Sequence, residues 1–150
     1  MTKKRQSGAG AEPCPCGNGA YATCCGRFHR GEAVPPTAEA LMRSRYSAYV
    51  LGDEGWLRQT WHVSTCPEDL SVDTGTRWLG LTVKSHAQQD DTHATVAFVA
   101  RYKVGGRAHR LEELSRFVFE PREPATPARW LYVDGDIKDQ EGQAARQEQD

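Results

Sequence analysis

The chain of 150 residues has the length of one ordinary domain, and its 38% hydrophobic and 26% charged residues are typical of a soluble globular protein. Its net charge of −1 excludes a global field that would attract nucleic acid or an anionic membrane. The charge is uneven: positions 1–62 hold eight basic and five acidic side chains, whereas 63–150 hold eleven and fifteen, so RNA or ribosome contact stays open as a lesser alternative. No apolar stretch is as long as a membrane span or resembles a secretion signal, and we therefore expect a cytoplasmic protein.

Four parts follow one another along the sequence. Positions 1–12 and 138–150 are polar and lack apolar periodicity, which predicts a disordered tail at each end. Between them, 13–34 predict a small cysteine knuckle and 35–137 predict an α+β domain.

Four cysteines lie within the stretch PCPCGNGAYATCCG, namely Cys14, Cys16, Cys24 and Cys25. Two sulfur pairs separated by a short glycine-rich loop form the donor set of a tetrahedral metal site, and zinc is the ion that four thiolates favour. A four-sulfur site has no open coordination position, so we predict one structural zinc ion. Three alternatives remain open: an iron–sulfur site, a redox site, or a metal site in which His29 replaces one sulfur.

Three glycines in the knuckle, Gly17, Gly19 and Gly26, are expected to supply the positive φ angles of a tight turn. The fifth cysteine, Cys66, lies far along the chain and is predicted to be a half-buried side chain outside the metal site.

Two helices are predicted after the knuckle. The first extends from an N-cap at Thr37 to about Leu51, where Gly52 ends it, and the second covers about 53–61. At 100° per residue, Arg45 falls inside the apolar face of the first helix. Because burial of an isolated cation is costly, Arg45 is expected either to find a partner or to extend to the rim of the helix.

Apolar side chains recur at every second position from Trp78 onward, which predicts strands. Leu79, Leu81 and Val83 define the first strand, 96–104 the second, 107–119 the third and 130–137 the last. Gly105-Gly106 predicts a two-residue hairpin. With that turn, Phe98 faces Glu113 and Tyr102 faces His109, so Glu113 lies on the apolar face of the sheet.

Taken in order, six motifs resemble the YchJ family of uncharacterised bacterial proteins: PCPCGNGAYATCCGRFHRGE, LMRSRYSAYVLGD, TWHVSTCP, WLGLTV, FVARYKVGGRAHRLEELSRFVFE and WLYVDGDI. The first motif is similar to the SEC-C module, also found at the C-terminus of SecA, and this resemblance implies zinc on the same four cysteines. The rest is similar to the nuclear transport factor two cone, in which helices close a curved antiparallel sheet around a pocket. Two departures are Glu112, where the family has histidine, and Val63, where proline is expected.

The resemblance to a cone directs attention to three candidate pocket residues, Glu113, His62 and Arg45, with Tyr46, Tyr102 and His109 as further wall residues. In one hypothesis, Glu113 or His62 is the base of a small proton-transfer enzyme of the isomerase or dehydratase type, and Arg45 binds an anionic group of the substrate. In the other, which we favour, Arg45 and Glu113 form a buried structural ion pair.

The knuckle suggests a protein partner, because the SecA module serves partner contact. By that analogy, the expected contact surface consists of Tyr21, Arg27, Phe28, His29 and Arg30; the alternative is that the knuckle only caps the cone. The outer face of the sheet, with Thr95, Ala97, Val99 and Leu114, is expected to support a homodimer. The leading interpretation is a zinc-binding adaptor protein, with the small-molecule enzyme as the alternative.

Overall fold

The computed structural model describes residues 12–139, which form three helices and a four-stranded antiparallel sheet. After a 3₁₀ turn at Tyr21–Thr23, the helices are α1 (Cys25–His29), α2 (Ala38–Leu51) and α3 (Glu54–Gln59). The strands β1 (Thr76–Asp90), β2 (His93–Val104), β3 (Arg107–Pro121) and β4 (Ala128–Asp139) pair in sequence order. The α+β prediction is therefore confirmed.

The predicted tails lie almost entirely outside the described residues. The C-terminal boundary differs from the prediction, because β4 continues through Lys138 and Asp139 and pairs with β3 there. Within residues 12–139, no helix combines the length and apolar character that a membrane crossing requires.

Helix α2 begins and ends where its capping residues predict. The Thr37 hydroxyl oxygen accepts a hydrogen bond from the Ala40 amide at 3.0 Å, and Gly52 takes a left-handed φ of 77° after the last turn. Helix α3 ends at Gln59, earlier than predicted, because the following residues pair with β4. The amide of His62 donates to the Tyr132 carbonyl, and the Tyr132 amide donates to the Thr60 carbonyl, each at 2.8 Å.

The β2–β3 hairpin has the predicted register. Gly105 and Gly106 have φ values of 59° and 82°, the two positive angles that a two-residue hairpin turn requires. Phe98 therefore lies opposite Glu113, and Tyr102 lies opposite His109.

The predicted face of β1 is wrong at one position. A register shift between Trp78 and Gly80 leaves Leu79 as an extra residue, and its side chain is 48% exposed. Trp78 consequently shares the inner face with Leu81 and Val83, since a bulge reverses the alternation on one side of it.

Two adjoining clusters of buried side chains form the core. The larger one joins α2 and α3 to the sheet through residues such as Leu41, Leu57, Val96 and Phe117, and it also contains Phe28 of the knuckle. The smaller one joins three knuckle cysteines to Tyr46 and Ala100. The knuckle and the cone therefore share a core, and α2 lies between the cysteine cluster and the interior of the cone.

Candidate functional site

The four knuckle cysteines converge on one point. The sulfur atoms of Cys14, Cys16, Cys24 and Cys25 all lie within 4.8 Å of one another. The Cys16 and Cys24 sulfurs are 3.6 Å apart, close to the ~3.8 Å edge of a tetrahedron built on 2.3 Å zinc–sulfur bonds. The donor set is therefore able to hold a tetrahedral metal ion.

A tight loop brings the two cysteine pairs together. The Cys14 amide donates to the Gly19 carbonyl at 2.8 Å, and the Gly17 amide donates to the Cys14 carbonyl at 2.9 Å. Gly17 and Gly19 have positive φ values of 86° and 93°, as predicted. Gly26 does not have a positive φ; a side chain there is excluded because its β-carbon would lie 2.6 Å from the Tyr21 carbonyl oxygen.

The sulfur cluster has unequal proton affinities. Hydrogen bonds from Cys16 and Cys25 strongly lower the pKa of Cys14. Burial, followed by interaction with Cys16, raises the pKa of Cys24 to about 12, and the hydrogen bond to Cys14 raises the pKa of Cys25 strongly. Four negative charges cannot accumulate at this separation without a compensating cation, and a divalent metal supplies one.

Helix α2 provides a second layer around the sulfurs. The Ser47 hydroxyl lies 3.5 Å from the Cys14 sulfur, and Arg43 donates from Nη1 to the Cys16 carbonyl at 3.0 Å. Polar groups of this kind orient metal ligands. The cysteine cluster is thus attached to the same helix that carries Arg45 into the cone.

His29 fastens the knuckle to α2 and is not part of the sulfur cluster. Its Nε2 donates to the Ser44 carbonyl at 2.9 Å, and its Nδ1 lies 2.7 Å from the Tyr21 hydroxyl. Both ring nitrogens are therefore engaged away from the cysteines, and the alternative in which His29 replaces a sulfur ligand is wrong.

The predicted partner surface on the knuckle is wrong for two of its five residues. Phe28 is 3% exposed within the main core, and the His29 side chain is 5% exposed against α2. Arg27 is exposed, and Arg30 forms an ion pair with Glu32 at 2.8 Å.

On the predicted dimer face of the sheet, Val99 is buried within this chain.

A cavity of about 410 Å³ lies inside the cone, between α2, the start of the segment after α3, and the sheet. Six apolar side chains supply much of its wall: Met42, Trp78, Phe98, Leu111, Phe117 and Ile137. Its polar wall residues include Arg45 and Glu113, which the sequence predicts, together with Tyr49, Ser115 and Tyr132. This volume is in the range of small-molecule sites.

Arg45 lies in the cavity wall and is 5% exposed. Its Nη1 donates to the Leu57 carbonyl at 2.9 Å and to the Thr60 hydroxyl at 2.7 Å. The guanidinium carbon lies 4.8 Å from the centre of the Trp61 ring and 4.5 Å from that of Tyr132. Burial lowers the pKa of Arg45, although arginine keeps its proton near neutral pH. The side chain is therefore a buried cation, and the alternative in which it extends to the rim is wrong.

Glu113 lies on the inner face of β3, as predicted, but it does not form an ion pair with Arg45. Its Oε2 accepts hydrogen bonds from the Ser115 hydroxyl at 2.7 Å and the Tyr132 hydroxyl at 3.0 Å. Within residues 12–139, no nitrogen of Arg45 lies within 4.0 Å of a carboxylate oxygen. Burial raises the pKa of Glu113 despite these hydrogen bonds. The favoured ion-pair hypothesis is wrong because Arg45 is directed to the end of α3.

Three other predicted pocket residues lie elsewhere. His62 is not in the cavity wall; its Nε2 pairs with Glu120 and its Nδ1 contacts the Ser64 hydroxyl at 2.8 Å. The rings of Tyr102 and His109 stack on each other at 4.9 Å, also outside the wall. Tyr46 does line the cavity.

Ser115 and Tyr132, the partners of Glu113, are not among the site residues that the sequence predicts. The sequence could have identified Ser115 as a neighbour of Glu113, since it is two residues away on the same strand and therefore on the same face. The sequence did not indicate that Tyr132 contacts Glu113, because a register shift between Arg116 and Phe117 alters the pairing of β3 with β4.

Comparison with known proteins places these features in a family. A family model described as YchJ, middle NTF2-like domain, matches residues 37–135. A UPF0225 protein of Cupriavidus metallidurans is 81% identical over 93% of this chain and 99% of its own length. A UPF0225 protein of Bordetella pertussis is 54% identical over 92% of this chain and 100% of its own length.

Two solved structures are similar to most of this chain, and both are described as SEC-C motif containing proteins. The structure from Psychrobacter arcticus has 30% sequence identity and a TM-score of 0.69, covering 84% of this chain and 82% of that one. The structure from Rhodopseudomonas palustris has 30% identity and a TM-score of 0.67, covering 83% and 97% respectively.

Proposed function

This chain belongs to the YchJ family of UPF0225 proteins, and we propose that it is a zinc-stabilised protein that binds a small molecule inside its NTF2-like cone. The single observation that carries the proposal is the cavity of about 410 Å³, whose apolar wall contains a buried arginine that has no carboxylate partner within residues 12–139. Ligand sites combine an apolar lining with a few convergent polar groups in this way.

In this proposal, one zinc ion on Cys14, Cys16, Cys24 and Cys25 has a structural role. The sulfur geometry matches a closed tetrahedron, and the SEC-C description of the two solved relatives favours the same site. The bound ion compensates the thiolate charge and holds α1 against α2. Such a site needs reduced cysteines, which fits the cytoplasm.

The adaptor interpretation receives less support. Phe28 and His29, the two ring-bearing side chains beyond Gly26, pack inward and leave mainly Arg27 and Arg30 on that surface. Contact sites usually depend on several aromatic anchors, and among the five predicted residues the half-buried Tyr21, bonded through its hydroxyl to His29, is the aromatic side chain that stays near this surface. The knuckle is better explained as a cap that is continuous with the core.

A proton-transfer enzyme remains the second candidate because of one observation on Glu113. Its pKa is raised by burial, and its carboxyl group lies in the cavity wall next to the Tyr132 hydroxyl. A carboxyl group whose pKa is raised by burial holds its proton to a higher pH than an exposed one and can then donate it. His62 has no part in this candidate function, since it lies outside the wall.

The test of ligand binding uses the neutral fluorescent probe N-phenyl-1-naphthylamine. Leu111→Trp fills the cavity, whereas Leu114→Trp adds the same side chain to the same strand at a position that is 40% exposed and outside the wall. We expect saturable binding to the unaltered protein and to Leu114→Trp, and binding that is about tenfold weaker in Leu111→Trp. Absence of saturable binding, or equal affinity in both variants, would exclude the cavity as the site.

A further inference from the structure

Arg45 provides a positive charge in the cavity wall, and among residues 12–139 it forms no ion pair with a carboxylate within 4.0 Å. The side chain is 5% exposed, and its two well-formed hydrogen bonds within residues 12–139 come from Nη1, while the Tyr49 hydroxyl is a weaker hydrogen-bonding neighbour. The acceptors, the Leu57 carbonyl and the Thr60 hydroxyl, are both neutral. A buried cation with neutral acceptors alone keeps much of its desolvation cost.

The remaining electrostatic surroundings of Arg45 reduce this charge only in part. The faces of Trp61 and Tyr132, 4.8 and 4.5 Å away, offer the weak negative potential of aromatic rings. Burial raises the pKa of Tyr49, and the charge of Arg45 and a hydrogen bond from it oppose that shift only in part, so the phenol stays neutral. These neighbours are neutral groups.

Glu113 is the carboxyl group of the cavity wall, and its geometry does not make it a counterion. Its Oε2 accepts two hydrogen bonds, one from the Ser115 hydroxyl and one from the Tyr132 hydroxyl. Burial favours its neutral form by raising its pKa. The cavity therefore combines a permanent cation with an acid that resists ionisation.

Hydrogen-bond donors in the wall also lack acceptors. A guanidinium has five N–H groups, and within residues 12–139 the two well-formed hydrogen bonds of Arg45 both use Nη1, with the neutral Tyr49 hydroxyl as a further hydrogen-bonding neighbour. The buried indole Nε1 of Trp61, another wall residue, has no hydrogen-bond partner in the same residues. The fork of donors on an arginine matches the two oxygens of a carboxylate.

From this arrangement we infer that the cone cavity is a site for an apolar carboxylate, whose anionic group binds Arg45 and whose aromatic or aliphatic body contacts Phe98, Leu111 and Phe117. The inference rests on the proposed function and specifies its ligand class. The carboxylate supplies the missing negative charge and the missing acceptors together, and the apolar wall receives the rest of the molecule.

The test compares two probes of nearly equal shape on the unaltered protein, 1-naphthoate and 1-naphthamide, by calorimetry. We expect 1-naphthoate to bind at least about tenfold more tightly, because a hydrogen-bonded ion pair in a buried site contributes more than a neutral contact. The preference is expected to disappear in Arg45→Met and to persist in Arg58→Met, which removes an exposed arginine that pairs with Glu54.

The outcomes separate this inference from the proposed function. Binding of the neutral probes without any preference for 1-naphthoate would overturn the carboxylate inference and leave the binding function intact. Failure of all probes to bind would overturn both. If Arg45→Met does not fold, the ratio of the affinities for 1-naphthoate and 1-naphthamide in the unaltered protein still tests the inference.

Discussion

Gly135 lies directly against the carboxyl group of Glu113, so closely that a β-carbon at position 135 would overlap the carboxyl atoms. On its other sides the same carboxyl group is held by the Ser115 and Tyr132 hydroxyls, at 2.7 and 3.0 Å. The position of Glu113 in the cavity wall thus depends on a glycine in the neighbouring strand.

Gly135→Ala should consequently destabilise the protein by about 1–3 kcal/mol, because the added methyl group displaces a carboxyl group that is fixed by two hydrogen bonds. Urea unfolding measures this change. Gly80→Ala is the matched control in a strand: the atom nearest to its added methyl group would be Arg101 Nη2 at 3.7 Å, an ordinary contact, so its effect should be small.

The effects of Gly135→Ala and Glu113→Ala on stability should also be coupled. Once Glu113→Ala has removed the carboxyl group, Gly135→Ala should cost much less than it does alone, since the overlapping atoms are gone. Equal effects of Gly135→Ala in both backgrounds would show that the glycine is needed for backbone reasons and not for the space that Glu113 occupies.

The raised pKa of Glu113 predicts a pH dependence of folding. Above the ordinary value of 4.5, the unfolded chain releases this proton while the folded protein retains it, so the stability contributed by Glu113 falls as the pH rises toward the folded pKa. Relative to Glu113→Gln, which cannot ionise, the unfolding free energy should fall by about 1.4 kcal/mol for each pH unit between the two pKa values.

Urea unfolding of the unaltered protein and Glu113→Gln at matched pH values measures this difference, and contributions from the shared metal site cancel in it. A difference that stays constant with pH would mean that the carboxyl group titrates normally. If the unfolding free energy of the unaltered protein instead rose with pH relative to Glu113→Gln, the charge of Arg45 would outweigh burial and the pKa of Glu113 would be lowered.

Local rules sufficed for much of the fold. The hairpin at Gly105-Gly106 placed Phe98 opposite Glu113, and the helical arc placed Arg45 inside the cone, because turn type and helical periodicity depend on residues near in sequence. These two predictions placed Arg45 and Glu113 on apolar faces, whereas the expectation of a cavity between them came from the resemblance to a cone.

The predictions that were wrong depended on a strand irregularity and on the direction of a side chain. Leu79 left its expected face because of a bulge next to Gly80, and that isolated glycine within the strand pattern was the one local signal for it. Arg45 donates to the Leu57 carbonyl and the Thr60 hydroxyl and does not pair with Glu113. The chain after α3 turns to pair with β4, which brings these two acceptors close to the guanidinium. Helical periodicity indicates which face a side chain occupies, but not which acceptor it reaches.

The attachment of the knuckle through His29 gives another prediction. His29→Ala should destabilise the protein by about 2–3 kcal/mol, since it removes a buried ring that contacts Trp56 together with the bonds to Ser44 and Tyr21. Tyr21→Phe removes one hydrogen bond alone and should cost about 1 kcal/mol.

His93→Ala is the control for this histidine, because its side chain is 58% exposed and its removal should change stability by less than about 0.5 kcal/mol. Thermal unfolding of the metal-loaded proteins checks the order of the three variants. A His29→Ala variant as stable as the His93→Ala variant would mean that the knuckle is not held to α2 through this ring.

The proposed zinc ion gives the last prediction. Elemental analysis of protein purified without added metal should find one zinc per chain, and a Cys24→Ser, Cys25→Ser variant should lose it while circular dichroism still reports a folded cone. The variant should melt at a lower temperature, because the knuckle contributes Phe28 to the main core. Cys66→Ser is the matched control, since Cys66 lies outside the sulfur cluster and should leave the metal content unchanged. Iron with visible absorption, or zinc retained by the double variant, would contradict a four-sulfur zinc site.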